Sequence, residues 1–511
     1  MLLKPAGDDF RAIGHALGRV VAAMALFALL PAAWAIGRGE WAALSGILLM
    51  VGVALLTSAV LDHARPQSTD LTWSQGMVVV ATAWLIVPAI GSIPLALSGH
   101  FGSWLDAFFE ATSGITTTGL TLVQDIDHLP ESINIWRHTM QFLGGQGIVL
   151  AALTFFAASG ILSLFHGEGR DERIFPSVTT TDRFIWRVAA AHALFGILAL
   201  GLVTWLGLGF GPGRALFHAM NVFMAAFDTG GFASQSTSIG FYHSAVFEAV
   251  TAVLMIAGSI SFGIHHALWT GRERRARRQR LGVDEDPGIL RNLEVRTIIT
   301  TFGILTVTTL AGLAAAGTYG SIGGLTRRGL FQILSAHTNV GFSTVSSSEL
   351  AQWQGMAFAG IATAMALGGM ASSTAGGVKA LRIGLTLRAL ADSIREALLP
   401  DRAVISTNYH QTNQQRLTPE LAQSVMAISL LYVALYLVGT AVGYAYGFPL
   451  KAALFDSIAA GSNAGLSVGV VSPSMPLALK LVMIMQMYVG RLEFVAVFAL
   501  IGFVIAWRVG K

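Results

Sequence analysis

Along this chain apolar residues come in long runs separated by short polar breaks. A bilayer core about 30 Å thick needs roughly 20 apolar residues in a helix. Runs of that order occupy 14–36, 41–61, 74–98, 134–163, 184–209, 241–269, 294–317, 352–398, 420–447 and 475–507. Four apolar segments are too short to span: 104–113, 214–226, 326–336 and 450–461, each followed by a polar stretch containing glycine. That is the pattern of a half-helix and re-entrant loop. It predicts an all-α polytopic membrane protein with ten spans and four half-helices. The first run is long and has no small-residue cleavage site before the next span, so it reads as a first helix and not as a signal peptide.

The loops after the half-helices repeat. They read Thr116-Thr117-Thr118-Gly119-Leu120-Thr121, Asp228-Thr229-Gly230-Gly231-Phe232-Ala233, Thr338-Asn339-Val340-Gly341-Phe342-Ser343 and Ser462-Asn463-Ala464-Gly465-Leu466-Ser467. Their glycines Gly119, Gly231, Gly341 and Gly465 are 112, 110 and 124 residues apart. Downstream, the next span again carries glycine: Gly144-Gly145, Ala257-Gly258, Gly368-Gly369 and Val489-Gly490. Upstream, an aromatic stands ten before the loop glycine in three repeats (Phe109, Phe331, Phe455), whereas the matching Phe217 is 14 before. The second half-helix is therefore expected to be longer or differently seated. Four copies of span, half-helix, glycine loop and span predict a fourfold pseudo-symmetric arrangement around one central cation pore, with two extra N-terminal spans. The expected boundaries are 1–70 for a two-helix N-terminal domain, then pore repeats at 71–183, 184–293, 294–418 and 419–511.

Composition agrees with a life in lipid: 54% hydrophobic, only 12% charged, and a mean hydropathy of +0.64. A soluble surface needs about a quarter of its residues charged. No cysteine is present, which excludes disulfides, thiolate metal sites and cysteine nucleophiles. With the glycine loops outside, 23 of the 32 basic residues flank the cytoplasmic ends and seven flank the outer ends: Arg38, Arg137, Arg214, Arg327, Arg328, Lys451 and Lys480. Lys379 counts among the cytoplasmic ones, Arg19 can snorkel, and Arg491 stands mid-run. This split obeys the positive-inside rule and places both termini in the cytoplasm. The stretch 272–280 has six arginines in nine positions. It reads as a cytoplasmic topology anchor or a surface for an acidic partner or anionic headgroups; no motif accompanies it that would indicate nucleic acid.

Non-helical backbone at membrane depth is tolerated where it lines a water-filled path or is buried in protein. Four such loops with inward carbonyls can replace the hydration shell of a monovalent cation, and glycine supplies the positive φ and the close approach. The half-helices aim their partly negative C-terminal ends at the same axis. The stretch from Gly369 to Lys379 is rich in Ser, Thr and Gly, so the run 352–398 is expected to break beneath the loops. It is not a nucleotide P-loop, since Val378 separates Gly377 from Lys379 and no strand precedes it. Arg491 at mid-membrane costs about 2.5–3.5 kcal/mol or more unless it faces a cavity or a partner. It is read as a positive charge under the loops, or as a salt bridge, for which Glu493 two residues on is poorly placed. Asp106, Glu110 and Asp456 on the half-helices either draw cations to the outer mouth or cap and solvate their helices. His265 and His266 are adjacent and ill-spaced for a shared metal on a helix.

Three strings, Ser113-Gly114-Ile115-Thr116-Thr117-Thr118-Gly119, Gly369-Met370-Ala371-Ser372-Ser373-Thr374-Ala375-Gly376-Gly377-Val378-Lys379 and Gly490-Arg491-Leu492-Glu493, resemble those of the Trk/Ktr/HKT superfamily of potassium transporters. The resemblance covers residues 74–508, and the spans at 14–61 look like the additional leading domain of the Trk branch. It implies K⁺ coordination by Thr117, Thr118 and Gly119; Thr229, Gly230 and Gly231; Asn339, Val340 and Gly341; and Asn463, Ala464 and Gly465. Glycine at all four filter positions goes, by that resemblance, with K⁺ over Na⁺. The third-repeat string is then an intramembrane gating loop (Gly369, Ser372, Ser373, Thr374, Ala375, Gly376, Gly377, Lys379) acting with Arg491. The resemblance also implies a homodimer in the bacterial inner membrane and a cytoplasmic nucleotide-binding ring as regulatory partner; no organic cofactor is expected in this chain. A Na⁺- or H⁺-coupled secondary transporter would need inverted repeats and midplane carboxylates, and the repeats here share one orientation. A membrane enzyme would need a nucleophile, base or metal constellation, and no HExxH, cysteine pair or GxSxG at a strand–helix turn occurs.

Overall fold

Residues 4–63, 66, 71–147, 178–280, 288–400, 407–411 and 414–510 are described by a computed structural model. Two leading helices, α1 (Gly7–Phe27) and α2 (Leu29–Arg38), form one bent run, and α3 (Trp41–His63) returns beside it. Repeat 1 follows as α4 (Trp73–Leu97), the half-helix α5 (Trp104–Ile115) and α6 (Glu131–Gln146). Repeat 2 has α7 (Val178–Leu202) with a terminal π-helical turn, the half-helix α8 (Pro212–Phe227), α9 (Ala245–Ser259) and α10 (Phe262–Arg280). Repeat 3 has α11 (Leu293–Ala315), the half-helix α12 (Ile322–His337), the short α13 (Ser347–Gln352), α14 (Gly355–Ala366) and α15 (Ala380–Leu398). A small antiparallel hairpin, β1 (Asn408–His410) with β2 (Gln414–Arg416), leads into repeat 4: α16 (Pro419–Ala445), the half-helix α17 (Leu450–Ser462), α18 (Leu477–Arg491) and α19 (Val495–Val509).

Six of the described helices are long and apolar enough to cross a membrane. The chain is a polytopic membrane protein built on four span–half-helix–span repeats plus the leading spans. Two expected continuous spans are corrected. The run 241–269 is α9 and α10 at 105°, and the run 475–507 is α18 and α19 at 107°. Sharp bends need a cause, and here the freed backbone groups find partners. At the first bend the Ser259 carbonyl accepts from Met370 N (3.0 Å) and Ile260 turns extended; at the second, Glu493 and Phe494 adopt φ of 52° and 71°. The expected break inside 352–398 is present between α14 and α15. The run 134–163 is helical to Gln146, and its remainder lies outside the described residues.

Each half-helix starts on a sequence signal. Ser103 and Ser321 accept from the backbone N–H groups of Asp106 and Gly324, while Pro212 opens α8 and Pro449 precedes α17. The second half-helix is indeed long, at 16 residues against 12 for α5 and 13 for α17, but α12 also has 16. An apolar core fastens the leading helices to repeat 1 and to the chain's last helices through Met24, Ile47, Trp84, Trp136 and Tyr488. Between α2 and α3 Glu40 accepts the N–H groups of Glu131 and Ser132, both at 2.9 Å, and so caps α6, while Arg38 pairs with Glu131 at 2.7 Å.

Candidate functional site

The four glycine loops have one backbone conformation. Thr117, Thr229, Asn339 and Asn463 all lie in the left-handed region, with φ of 52°, 51°, 56° and 56°. Each donates its N–H three residues back, and the next residue donates five residues back: Thr118 to Ser113 at 2.8 Å, Gly230 to Ala225 at 2.8 Å, Val340 to Ser335 at 3.0 Å and Ala464 to Ala459 at 2.9 Å. These paired bonds close a helix C-terminus as in the Schellman motif. Glycine usually takes this position; a threonine there costs on the order of 1–3 kcal/mol and is held by its surroundings.

The loops close a ring. A β-carbon at Gly119 would strike the Gly230 carbonyl oxygen, one at Gly231 that of Val340, one at Gly341 that of Ala464, and one at Gly465 that of Thr118. Each repeat therefore presses its loop glycine on the next repeat's preceding carbonyl, and the fourth returns to the first. Side chains reinforce the joints. Gln141 donates to the Gly230 carbonyl (2.5 Å), Asn463 Nδ2 to Thr118 Oγ1 (2.9 Å), and Asn339 Nδ2 to the carbonyls of Met365 (2.7 Å) and Ser462 (3.4 Å). The Ala464 carbonyl also accepts from Leu466 N at 2.9 Å. The downstream glycines act one layer below: a β-carbon at Gly144, Gly258 or Gly490 would strike the carbonyl of Ile115, Phe227 or Gly461, each four residues before its ring glycine.

A second regularity was not read from the sequence. Nine residues before the ring glycine, Glu110, Gln332 and Asp456 each accept the N–H of the residue three after it: Leu122 (2.8 Å), Thr344 (3.0 Å) and Val468 (2.9 Å). Repeat 2 has Val222 at that place, and His218 Nδ1 instead bonds Ser234 Oγ at 3.1 Å. The place ten before Gly231 is Asn221, fully buried, where the other repeats carry phenylalanine. Glu110 and Asp456 are thus braces of the loops. Asp106 is likewise engaged, bound by Lys480 at 2.5 Å across to α18.

Outside the ring lies a vestibule of ≈ 750 Å³ whose floor includes Gly119, Gly231, Gly341 and Gly465. Arg137 is not an exposed flanking charge as its sequence position suggests. It is fully buried, pairs with Glu110 at 2.6 Å, stacks 4.1 Å over Phe232 and donates to the Ala233 carbonyl at 3.3 Å, tying repeat 1 to the loop of repeat 2. Lys480, also counted as an outer charge, is buried in its pair with Asp106.

Beneath the ring the segment between α14 and α15 folds back on itself, Gly368 N bonding the Val378 carbonyl at 2.8 Å and Val378 N that of Ala366 at 3.1 Å. Its tip enters the middle of the molecule. Thr374 Oγ1 contacts the carbonyls of Phe227 (3.0 Å) and Gly258 (2.9 Å) and the hydroxyl of Thr229 (3.3 Å). Ala371 N donates to Glu294 (2.7 Å), Ser373 Oγ to the Met370 carbonyl (2.7 Å), and the Ser372 carbonyl accepts from Phe262 N (3.4 Å). Gly376 packs on Ser462 and Asn463, Gly369 on Ala375 and Ser259, and Gly377 (φ 66°) on Gly368. Arg491 donates to the carbonyls of Thr374 (2.6 Å) and Gly144 (3.0 Å) and lies 5.6 Å over Trp84. Glu493 turns to other partners, Arg382 and, at 3.9 Å, Lys379. Lys379 is therefore not a cytoplasmic flanking charge but a buried member of the loop, bonded to the Ala375 carbonyl. The space these groups leave under the ring is ≈ 20 Å³, about enough for one water. His265 Nε2 spans the first bend to the Ala257 carbonyl (2.9 Å), and His266 rests on the Phe184 ring.

The model of the TrkH family, described as cation transport protein, matches residues 47–505. An uncharacterized cation transporter of Methanocaldococcus jannaschii is 28% identical over 96% of this chain and 95% of its own length. The Trk system potassium uptake protein TrkH of Halomonas elongata is 29% identical over 90% of this chain and 92% of its own, and that of Escherichia coli K12 26% over 84% and 85%. The crystal structure of the potassium transporter TrkH from Vibrio parahaemolyticus superposes with a TM-score of 0.80 over 96% of this chain and 98% of that one, at 24% identity.

Proposed function

Since this chain belongs to the TrkH family of cation transport proteins, we propose that it is a potassium uptake pore, with the four-loop ring as selectivity filter and the segment from Gly369 to Lys379, together with Arg491, as gate. The closed ring carries this reading: four loops of one conformation, each glycine against the next repeat's carbonyl. A hydrated K⁺ enters the vestibule, sheds water at Thr117, Thr118, Gly119, Thr229, Gly230, Gly231, Asn339, Val340, Gly341, Asn463, Ala464 and Gly465, and meets carbonyl oxygens in exchange. A carbonyl has two lone pairs, so Gly230 and Ala464 can hold their hydrogen bonds and still face the ion. The half-helix C-termini add partial negative charge just below. There Arg491 and Thr374 occupy the path, and inward movement requires the loop tip to leave its carbonyl partners. Entry from outside, with both termini in the cytoplasm of a bacterial inner membrane, is supported by the split of basic residues. Control by a cytoplasmic nucleotide-binding ring and assembly as a homodimer are further parts of the proposal; the basic stretch 272–280 is the docking candidate for the ring.

Rubidium uptake into proteoliposomes tests the filter. Wild type is expected to accumulate rubidium and to prefer K⁺ over Na⁺ as competitor, and Gly119→Ser is expected to lose that preference because its β-carbon meets the Gly230 carbonyl. Absence of flux in wild type, or an unchanged preference in the variant, would refute the assignment.

A further inference from the structure

Below the ring, two chambers lie end to end. The upper is the ≈ 20 Å³ space at Arg491, and the lower, of ≈ 430 Å³, opens between α4, α15 and α16. Lys379, Leu492 and Glu493 line both, so one wall separates them. The lower chamber has room for roughly a dozen waters at about 30 Å³ each. Its rim lies at the start of two spans: Trp73 is the first residue of α4, and Leu421 and Ser424 sit in the opening turns of α16. Trp73 is 55% exposed and Ser424 is exposed, so the mouth is open at the level where these helices enter the membrane. Along α16 the wall continues from Leu421 to Ile428, about 10 Å at 1.5 Å per residue. The chamber thus lies beside the repeats' common axis, flanked by repeats 1, 3 and 4.

From this shared wall we infer that the cytoplasmic arm of the pore leaves the axis sideways, through the chamber between α4, α15 and α16, and that Glu493 is the carboxylate a departing cation meets there. The inference rests on the potassium-pore reading and specifies its exit. Among the described residues lining the two chambers, Glu493 is the one carboxylate, facing Lys379, Arg382 and Arg491. With three cations to one anion, the passage repels K⁺ as it stands. The same groups join the wall to the gate: Lys379 bonds the Ala375 carbonyl inside the loop, and Ala371 of the loop lines the lower chamber. Withdrawal of the loop together with the first turn of α15 would carry Lys379 and Arg382 with it, opening the partition and leaving Glu493 to the ion.

The chain has no cysteine, so Ser424→Cys introduces a sole thiol on the chamber rim and Ile428→Cys one deeper in its wall. Both are reconstituted beside Leu437→Cys, an exposed position further along α16, and treated from the cytoplasmic face with a trimethylammonium methanethiosulfonate reagent, labelling being followed by mass. Labelling at Ser424→Cys and Ile428→Cys is expected to cut rubidium flux at least fivefold, with no change at Leu437→Cys. Full flux after complete labelling at both positions, or no labelling at Ser424→Cys, overturns the lateral exit and favours an axial one. Absence of flux in untreated wild type would instead refute the potassium reading on which it stands.

Discussion

At the scale of single residues, buried charge dominates. Glu110 and Arg137 are both fully buried and share further bonds with Asn134, Thr121 and Leu122. Removing one partner of such a pair leaves a charge in low dielectric, at a cost of about 3–5 kcal/mol. Glu110→Gln is therefore expected to lower the thermal unfolding midpoint of the detergent-solubilised protein by several degrees, and Glu110→Gln with Arg137→Met to recover part of the loss; an unshifted midpoint in the single variant would contradict the pairing. Arg491→Ala is expected to raise basal rubidium flux, since it removes the donor that holds the Thr374 and Gly144 carbonyls together. Zero flux from a well-folded variant would mean the arginine is a structural tie. The sequence made Arg491 conspicuous because it stands in the middle of an apolar run, far from either end, with no well-placed local partner. It concealed Arg137, Lys379 and Lys480, whose positions near span ends suit a flanking charge equally well. Lys480 finds its carboxylate 374 residues away, a separation that hydropathy cannot register.

At the scale of elements, the broken third-repeat span was legible and the other two bends were not. The Ser, Thr and Gly content between Gly369 and Lys379 is unsuited to a helix, whereas Gly258-Ser259-Ile260-Ser261 and Leu492-Glu493-Phe494 sit inside runs that read as continuous. Their breaks depend on partners supplied from elsewhere, as Met370 supplies one to Ser259. The tip of the inserted loop hangs on Thr374, whose hydroxyl contacts two carbonyls of repeat 2. Thr374→Val keeps the shape and removes those bonds. Its expected effect is a severalfold rise in basal flux with unchanged K⁺ over Na⁺ preference, because the ring's carbonyls keep their contacts and only the Thr229 hydroxyl loses a neighbour; a change in preference without a change in rate would place Thr374 in the ring's function instead.

At the scale of the whole molecule, the ring makes the repeats interdependent. Every loop glycine abuts a carbonyl of the next repeat, so single alanine substitutions at Gly119, Gly231, Gly341 and Gly465 are expected to depress rubidium flux by comparable factors of at least ten. A variant that retains wild-type flux would show that its repeat does not contribute. The glycine periodicity made the fourfold plan readable from sequence. The braces at Glu110, Gln332 and Asp456 share a register but differ in residue type, and His218 stands outside that register, so no motif announced them. One joint of the ring also has a history in time. Gly465 meets Thr118 only after nearly the whole chain has been made, and at about 5–20 residues per second the first loop waits roughly 20–70 s for its last neighbour. A nascent or prematurely terminated chain that stops short of Gly465 therefore holds no finished ring.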